Sequence, residues 1–72
     1  MAELKCEILE TLIEFPVSRG WHKELNLVKW GDNAPKYDLR PWNEDRSKMG
    51  KGVTLTKEEL MILKEGLGGI RL

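Results

Sequence analysis

The chain has one cysteine, Cys6, and one histidine, His22. A lone thiol closes no intrachain disulfide, and one Cys with one His cannot supply the four ligands of a structural zinc. No segment approaches the ~18 consecutive apolar residues of a membrane span. The stretch Met1-Ala2-Glu3-Leu4-Lys5-Cys6-Glu7 puts acids where a signal peptide needs a basic patch and an apolar run. Net charge is also missing, with 12 Lys and Arg against 12 Asp and Glu. Together these absences lead us to expect no membrane association, no cofactor and no metal, in a reducing cytoplasmic setting.

What is present fits one small globular domain, expected to span residues 1–72. A domain of this size buries roughly 60% of its unfolded surface and is marginal alone. With staples excluded, a homodimer is the expected remedy.

The zero charge is a cancellation between segments. Residues 1–18 hold four glutamates against Lys5, net −3, residues 19–51 hold eight bases against five acids, net +3, and residues 52–72 balance. Trp21, Trp30 and Trp42 all fall in the basic middle segment. That coincidence keeps a nucleic-acid partner in play despite the neutral total.

The expected architecture is α+β, four antiparallel strands followed by one C-terminal helix. Leu4 to Val17 alternates imperfectly. A helix over 3–14 matches the i, i+4 pairs of Leu4, Ile8 and Leu12, but a long strand bulged near Leu9-Glu10 fits Pro16 and the β-branched residues better. Ser18-Arg19-Gly20 reads as a turn, 23–30 as a strand, and Gly31 to Pro35 as a second turn. Lys36 to Trp42 forms the third strand, with Pro41 marking its end or an edge position. A polar loop over 43–51 leads to a short strand, Val53-Thr54-Leu55. Thr56 and Glu59 spell a capping box, with Leu55 and Leu60 as its staple. The helix that follows carries a Leu60, Met61, Leu63 and Leu67 stripe, ended by glycines at 66, 68 and 69. We expect this stripe to be divided between the sheet and a dimer partner.

Alternation places Leu25 and Leu39 on the core side. It gathers Asn26, Trp30, Lys36, Arg40 and Trp42 on the other face, left open because one helix covers one side only. Open tryptophans beside cations suit single-stranded nucleic acid, since bases stack on aromatic planes for roughly 1–3 kcal/mol each while cations follow the phosphates. The helix lacks the basic surface that groove reading requires. Each feature has a plainer reading too: tryptophans as core or interface, Lys36 and Arg40 as a salt-bridged surface around Asp38, and Lys48 to Lys51 as a solvated linker. Gly50-Lys51-Gly52 suggests a close backbone approach but is no P-loop. Cys6 reads as a buried inert thiol and His22 as a surface histidine, and no catalytic pair stands out. The chain is not expected to be an enzyme.

Three blocks, Lys23 to Trp30, Pro35 to Trp42, and Lys48 to Thr56, resemble the bacterial YdbC-type branch of the family of the eukaryotic transcriptional coactivator positive cofactor four. The similarity covers about residues 4–67. It implies a curved four-stranded sheet with a C-terminal helix, dimerising largely through the helices. It further implies non-specific single-stranded DNA binding on the concave sheet surface, in transcription, replication or repair. On this resemblance Arg40 matches the strand arginine of the DNA face, Trp42 and Trp30 its aromatics, and Lys51, with Lys48 nearby, the basic residue before the last strand. The first strand departs from the pattern in its four glutamates.

The expected DNA-binding set is therefore Lys23, Asn26, Trp30, Lys36, Arg40, Trp42, Lys48 and Lys51, with Leu60, Met61, Leu63 and Leu67 at the dimer interface. Single-stranded RNA is a second candidate ligand, and transcription or replication proteins are candidate partners. The alternative function is a dimeric adaptor of the transcription machinery that binds no nucleic acid.

Overall fold

A computed structural model of the protein describes residues 6–72. The elements run β1 (Cys6–Glu14), β2 (Trp21–Trp30), β3 (Lys36–Asn43), β4 (Val53–Leu55) and α1 (Lys57–Gly68). The strands form one open antiparallel sheet in the order β1-β2-β3-β4. The expected β-β-β-β-α order is present. The residues of the long first strand that precede Cys6 lie outside the described part.

Local chemistry explains the boundaries. β1 and β2 are joined at Ser18 and Trp21, which exchange backbone hydrogen bonds across Arg19 (φ 54°) and Gly20 (φ 80°). Two positive φ values match the right-handed twist of a tight hairpin. β1 carries the expected irregularity after Ile8 and a second one after Thr11, so Leu9 and Leu12 are the extra residues. Pro41 lies inside β3, not at its end. It is tolerated because β4 pairs only with Tyr37, Leu39 and Asp38 between them, so Pro41 lies past the end of that ladder. On that side its carbonyl accepts from the Gly50 N–H at 2.9 Å, and no ladder donor is missing.

The capping box at the start of α1 is complete. The Thr56 hydroxyl accepts from the Glu59 N–H at 3.1 Å, and the Glu59 carboxylate accepts from the Thr56 N–H at 2.8 Å. Gly66 does not end the helix, which continues to Gly68 with Gly69 as its C-cap.

The two faces of the sheet reverse the expected burial. Leu25, Leu27, Tyr37 and Leu39, on the side read as core, are only half-buried. On the opposite side Glu24, Asn26, Asp38 and Val28 are 0% exposed and Trp42 is 5% exposed. The physical reason is coverage. Side chains of the 43–51 loop and of β3 itself close over the polar face. The apolar face meets only one flank of α1, and no residue of that helix is buried. Between them runs an apolar groove of about 370 Å³ lined by Ile13, Leu25, Leu60, Leu63, Lys64 and Leu67. Among the described residues no helix is long and apolar enough to cross a membrane.

Candidate nucleic-acid interface

Register determines which side chains share the polar face. β2 and β3 pair His22 with Trp42, Glu24 with Arg40, Asn26 with Asp38 and Val28 with Lys36. β1 adds Cys6 opposite Trp30 and Thr11 opposite Asn26, and β4 adds Thr54 opposite Asp38. Directly opposed residues project to the same side, so all of these line one surface.

At one end Trp30, Asn33, Ala34, Lys36, Arg40 and Thr54 enclose an open cleft of about 450 Å³. Beneath it lies the Asp38 carboxylate, which accepts from Arg40 Nε and Nη2 at 2.6 Å each and from the Thr54 hydroxyl at 3.1 Å. The guanidinium thus held stands 5.0 Å from the centre of the Trp30 ring, a cation–π distance. Its remaining Nη1 donates to Met49 Sδ at 3.3 Å. The result is a flat aromatic and guanidinium surface beside the exposed Lys36.

The other end is held by Glu24. Its buried carboxylate accepts from Asn26 Nδ2 at 3.0 Å, from His22 Nε2, and from Arg46 Nε at 3.1 Å, with Arg46 Nη2 at 2.9 Å from the second oxygen. Burial pushes the Glu24 carboxyl upward, but the hydrogen bonds from Asn26, His22 and Arg46 and the Arg46 charge outweigh it, holding the group below its ordinary range. Arg46 Nη2 also donates to the Thr11 hydroxyl at 3.1 Å. Among the described residues Glu14, His22 and Glu24 form one group with metal-ligand spacing. The Glu24 carboxylate, however, is already neutralised by a guanidinium, so this donor set does not fit a metal.

Arg46 reaches Glu24 because the loop folds tightly. Asn43 anchors it, donating through Nδ2 to the Ser47 hydroxyl at 2.9 Å and accepting from the Lys48 N–H at 2.9 Å. Arg46 itself has φ 59°. Further along, Gly52 lies against β3, where an added Cβ would be 2.2 Å from Arg40 Cβ and 2.4 Å from the Leu39 carbonyl oxygen. The close approach suggested by Gly-Lys-Gly is therefore a contact within the fold.

The expected site residues separate into groups. Trp30, Lys36 and Arg40 come together at the cleft. Asn26 shares their face but is fully buried and bonded to Glu24. Trp42 is on that face too, but buried opposite His22, eight strand positions or roughly 26 Å from the Trp30 level. The two rings form no joint stacking cluster. Lys23 falls on the other face by parity and lines a surface hollow with Pro41, Lys51 and Gly52. Lys48 and Lys51 are exposed on the β3–β4 loop. His22 is not a surface residue, since its side chain is 10% exposed. Cys6 is half-buried, and burial and then the Asp38 charge raise its thiol pKa, against a smaller lowering by Arg40.

The plainer reading of Arg40 as paired with Asp38 is present in the structure, whereas sequence reasoning missed Arg46 and Glu24. The parity of Glu24 with the tryptophans was the available signal. Arg46 had none, because its contact depends on a left-handed residue in a loop.

These features define an open α+β sheet protein with an aromatic and arginine cleft on one face and a helix with no buried residue beside the other. Residues 17–66 match the family described as Transcriptional Coactivator p15 (PC4), and the chain belongs to that family. It is also similar to an uncharacterized protein of Treponema pallidum (strain Nichols), at 47% identity over 53 residues covering 74% of this chain. The matched segment spans 62% of that relative's length. The family's description is that of a transcriptional coactivator, a non-catalytic class.

Proposed function

We propose that the chain is a sequence-tolerant single-stranded DNA-binding protein of the YdbC-like branch, working as a homodimer in the bacterial cytosol in transcription, replication or repair. The observation that carries this reading is the cleft in which the Trp30 ring and the Arg40 guanidinium lie together beside Lys36. A base stacks on such a surface whatever its identity, because every base has a π-face. Lys48 and Lys51 on the β3–β4 loop extend the path of the phosphates, and Trp42 supports the sheet from within. Lys23, on the opposite face, and Asn26, buried beneath the surface, are not assigned direct contacts.

Homodimerisation is supported by the apolar groove and by Met61, Ile62, Leu63 and Leu67, all exposed on a helix with no buried residue. A second copy docking there would cover the Leu60, Met61, Leu63 and Leu67 stripe.

The test is titration with oligo-dT, oligo-rU and duplex of equal length at several salt concentrations, read by tryptophan fluorescence beside a molecular-mass measurement. Quenching by oligo-dT that weakens steeply with salt is expected. Equal affinity for duplex, or no quenching at low salt, rejects the reading. Loss of all nucleic-acid binding would favour a dimeric adaptor, for which the exposed Phe15, Val17 and Trp21 offer a surface. Competition between oligo-dT and oligo-rU decides which sugar is preferred.

A further inference from the structure

We infer that Asp38 is the positioning residue of the cleft, and that Arg40 contributes to strand binding chiefly as an oriented plane rather than as a positive charge. This rests on the single-stranded nucleic-acid reading and deepens it.

Asp38 has no exposed surface and touches no solvent-borne ligand itself. Both of its oxygens are used, one by Arg40 Nε and the other by Arg40 Nη2 and Thr54 Oγ1. A bidentate carboxylate fixes the guanidinium plane as well as its position. Fixed in this way, the guanidinium keeps its 5.0 Å approach to the Trp30 ring, and Met49 Sδ holds Nη1. Gly52 lets β4 pass close enough for Thr54 to join the carboxylate. The pair is neutral as a unit, so little counterion release is expected from Arg40. An exposed lysine such as Lys36 has the opposite balance, all charge and little orientation.

The two accounts of Arg40 differ in sign for one substitution. Asp38→Asn removes a negative charge from beneath the site, so a charge-only account expects tighter oligo-dT binding and a steeper salt dependence. Positioning expects weaker binding, by roughly tenfold for the loss of one charge-assisted hydrogen bond. Arg40→Lys keeps the charge and loses the plane, and should weaken binding to a similar degree. The double variant should be no weaker than either single one, because both remove the same arrangement.

The measurement is fluorescence titration of wild type, Asp38→Asn, Arg40→Lys and the double variant with oligo-dT, with far-UV circular dichroism to verify folding. Weaker binding in both single variants without additivity supports the inference. Equal or tighter binding by folded Asp38→Asn, or additive losses, overturns it while wild-type binding upholds the functional reading. If Asp38→Asn does not fold, Arg40→Lys decides alone, and wild-type affinity in that variant overturns the inference. Failure of wild type itself to bind oligo-dT overturns the functional reading and this inference with it.

Discussion

The guanidinium of Arg46 pairs with the carboxylate of Glu24, 22 residues earlier in the chain, through contacts of 2.9 and 3.1 Å. Glu24 is fully buried while the Arg46 side chain is 39% exposed. Removing the arginine leaves a buried carboxylate with only His22 and Asn26. Arg46→Ala is therefore expected to destabilise the protein by about 1–3 kcal/mol, measured by urea unfolding. A loss below a few tenths would mean that the pair is ordinary surface chemistry.

The same pairing sets a pH dependence. The Glu24 carboxyl is held below its ordinary value in the folded chain. Its contribution is therefore fully present above the unfolded value, about 4.3, and is lost as pH falls through the lower folded value. Thermal midpoints recorded from pH 6 to pH 2.5 should drop through that acid window. Glu24→Gln should be less stable at pH 6 and show a shallower acid decline.

Trp42 and Trp30 should separate stability from binding. Truncating a buried tryptophan costs about 3–5 kcal/mol, enough to unfold most of a marginal small domain. Trp42→Ala should therefore lose the cooperative melt. Trp30→Ala, at the half-buried rim of the cleft, should stay folded and lose oligo-dT binding. A folded Trp42→Ala with weakened binding would restore Trp42 to the contact surface.

Gly52→Ala should be costly without any change in charge or hydrogen bonding. The new Cβ would meet backbone and Cβ atoms of Leu39 and Arg40 at 2.2–2.9 Å, forcing β4 away from β3. A loss of about 2 kcal/mol or more is expected in denaturant unfolding, with reduced oligo-dT affinity because Arg40 is displaced. Gly66→Ala, where an added Cβ meets nothing within 4 Å, serves as the control and should stabilise the helix slightly.

Local signals were the legible ones. Thr56 and Glu59 announced the helix start, Ser18-Arg19-Gly20 the hairpin, and Val53 to Leu55 the last strand, because each depends on neighbours within a few residues. Alternation also assigned Trp30, Lys36 and Arg40 to one face. It could not report depth. Asn26 and Trp42 share that face but are buried, since burial depends on which loop side chains fold across it. Lys23 was misplaced against its own parity, which sets it with Leu25. Arg46 was illegible because its contact requires both a positive φ and a partner on a distant strand.

The two bulges of β1 also bear on how the sheet can grow. β1 and β4 are its edges. Extra residues at Leu9 and Leu12 interrupt the outer hydrogen-bonding rhythm of one edge, and the other edge is three residues long. Neither is a good template for an added strand. Fibre-like extension of the sheet is thereby disfavoured, and in the proposed homodimer it is the face that α1 borders that would meet a second copy.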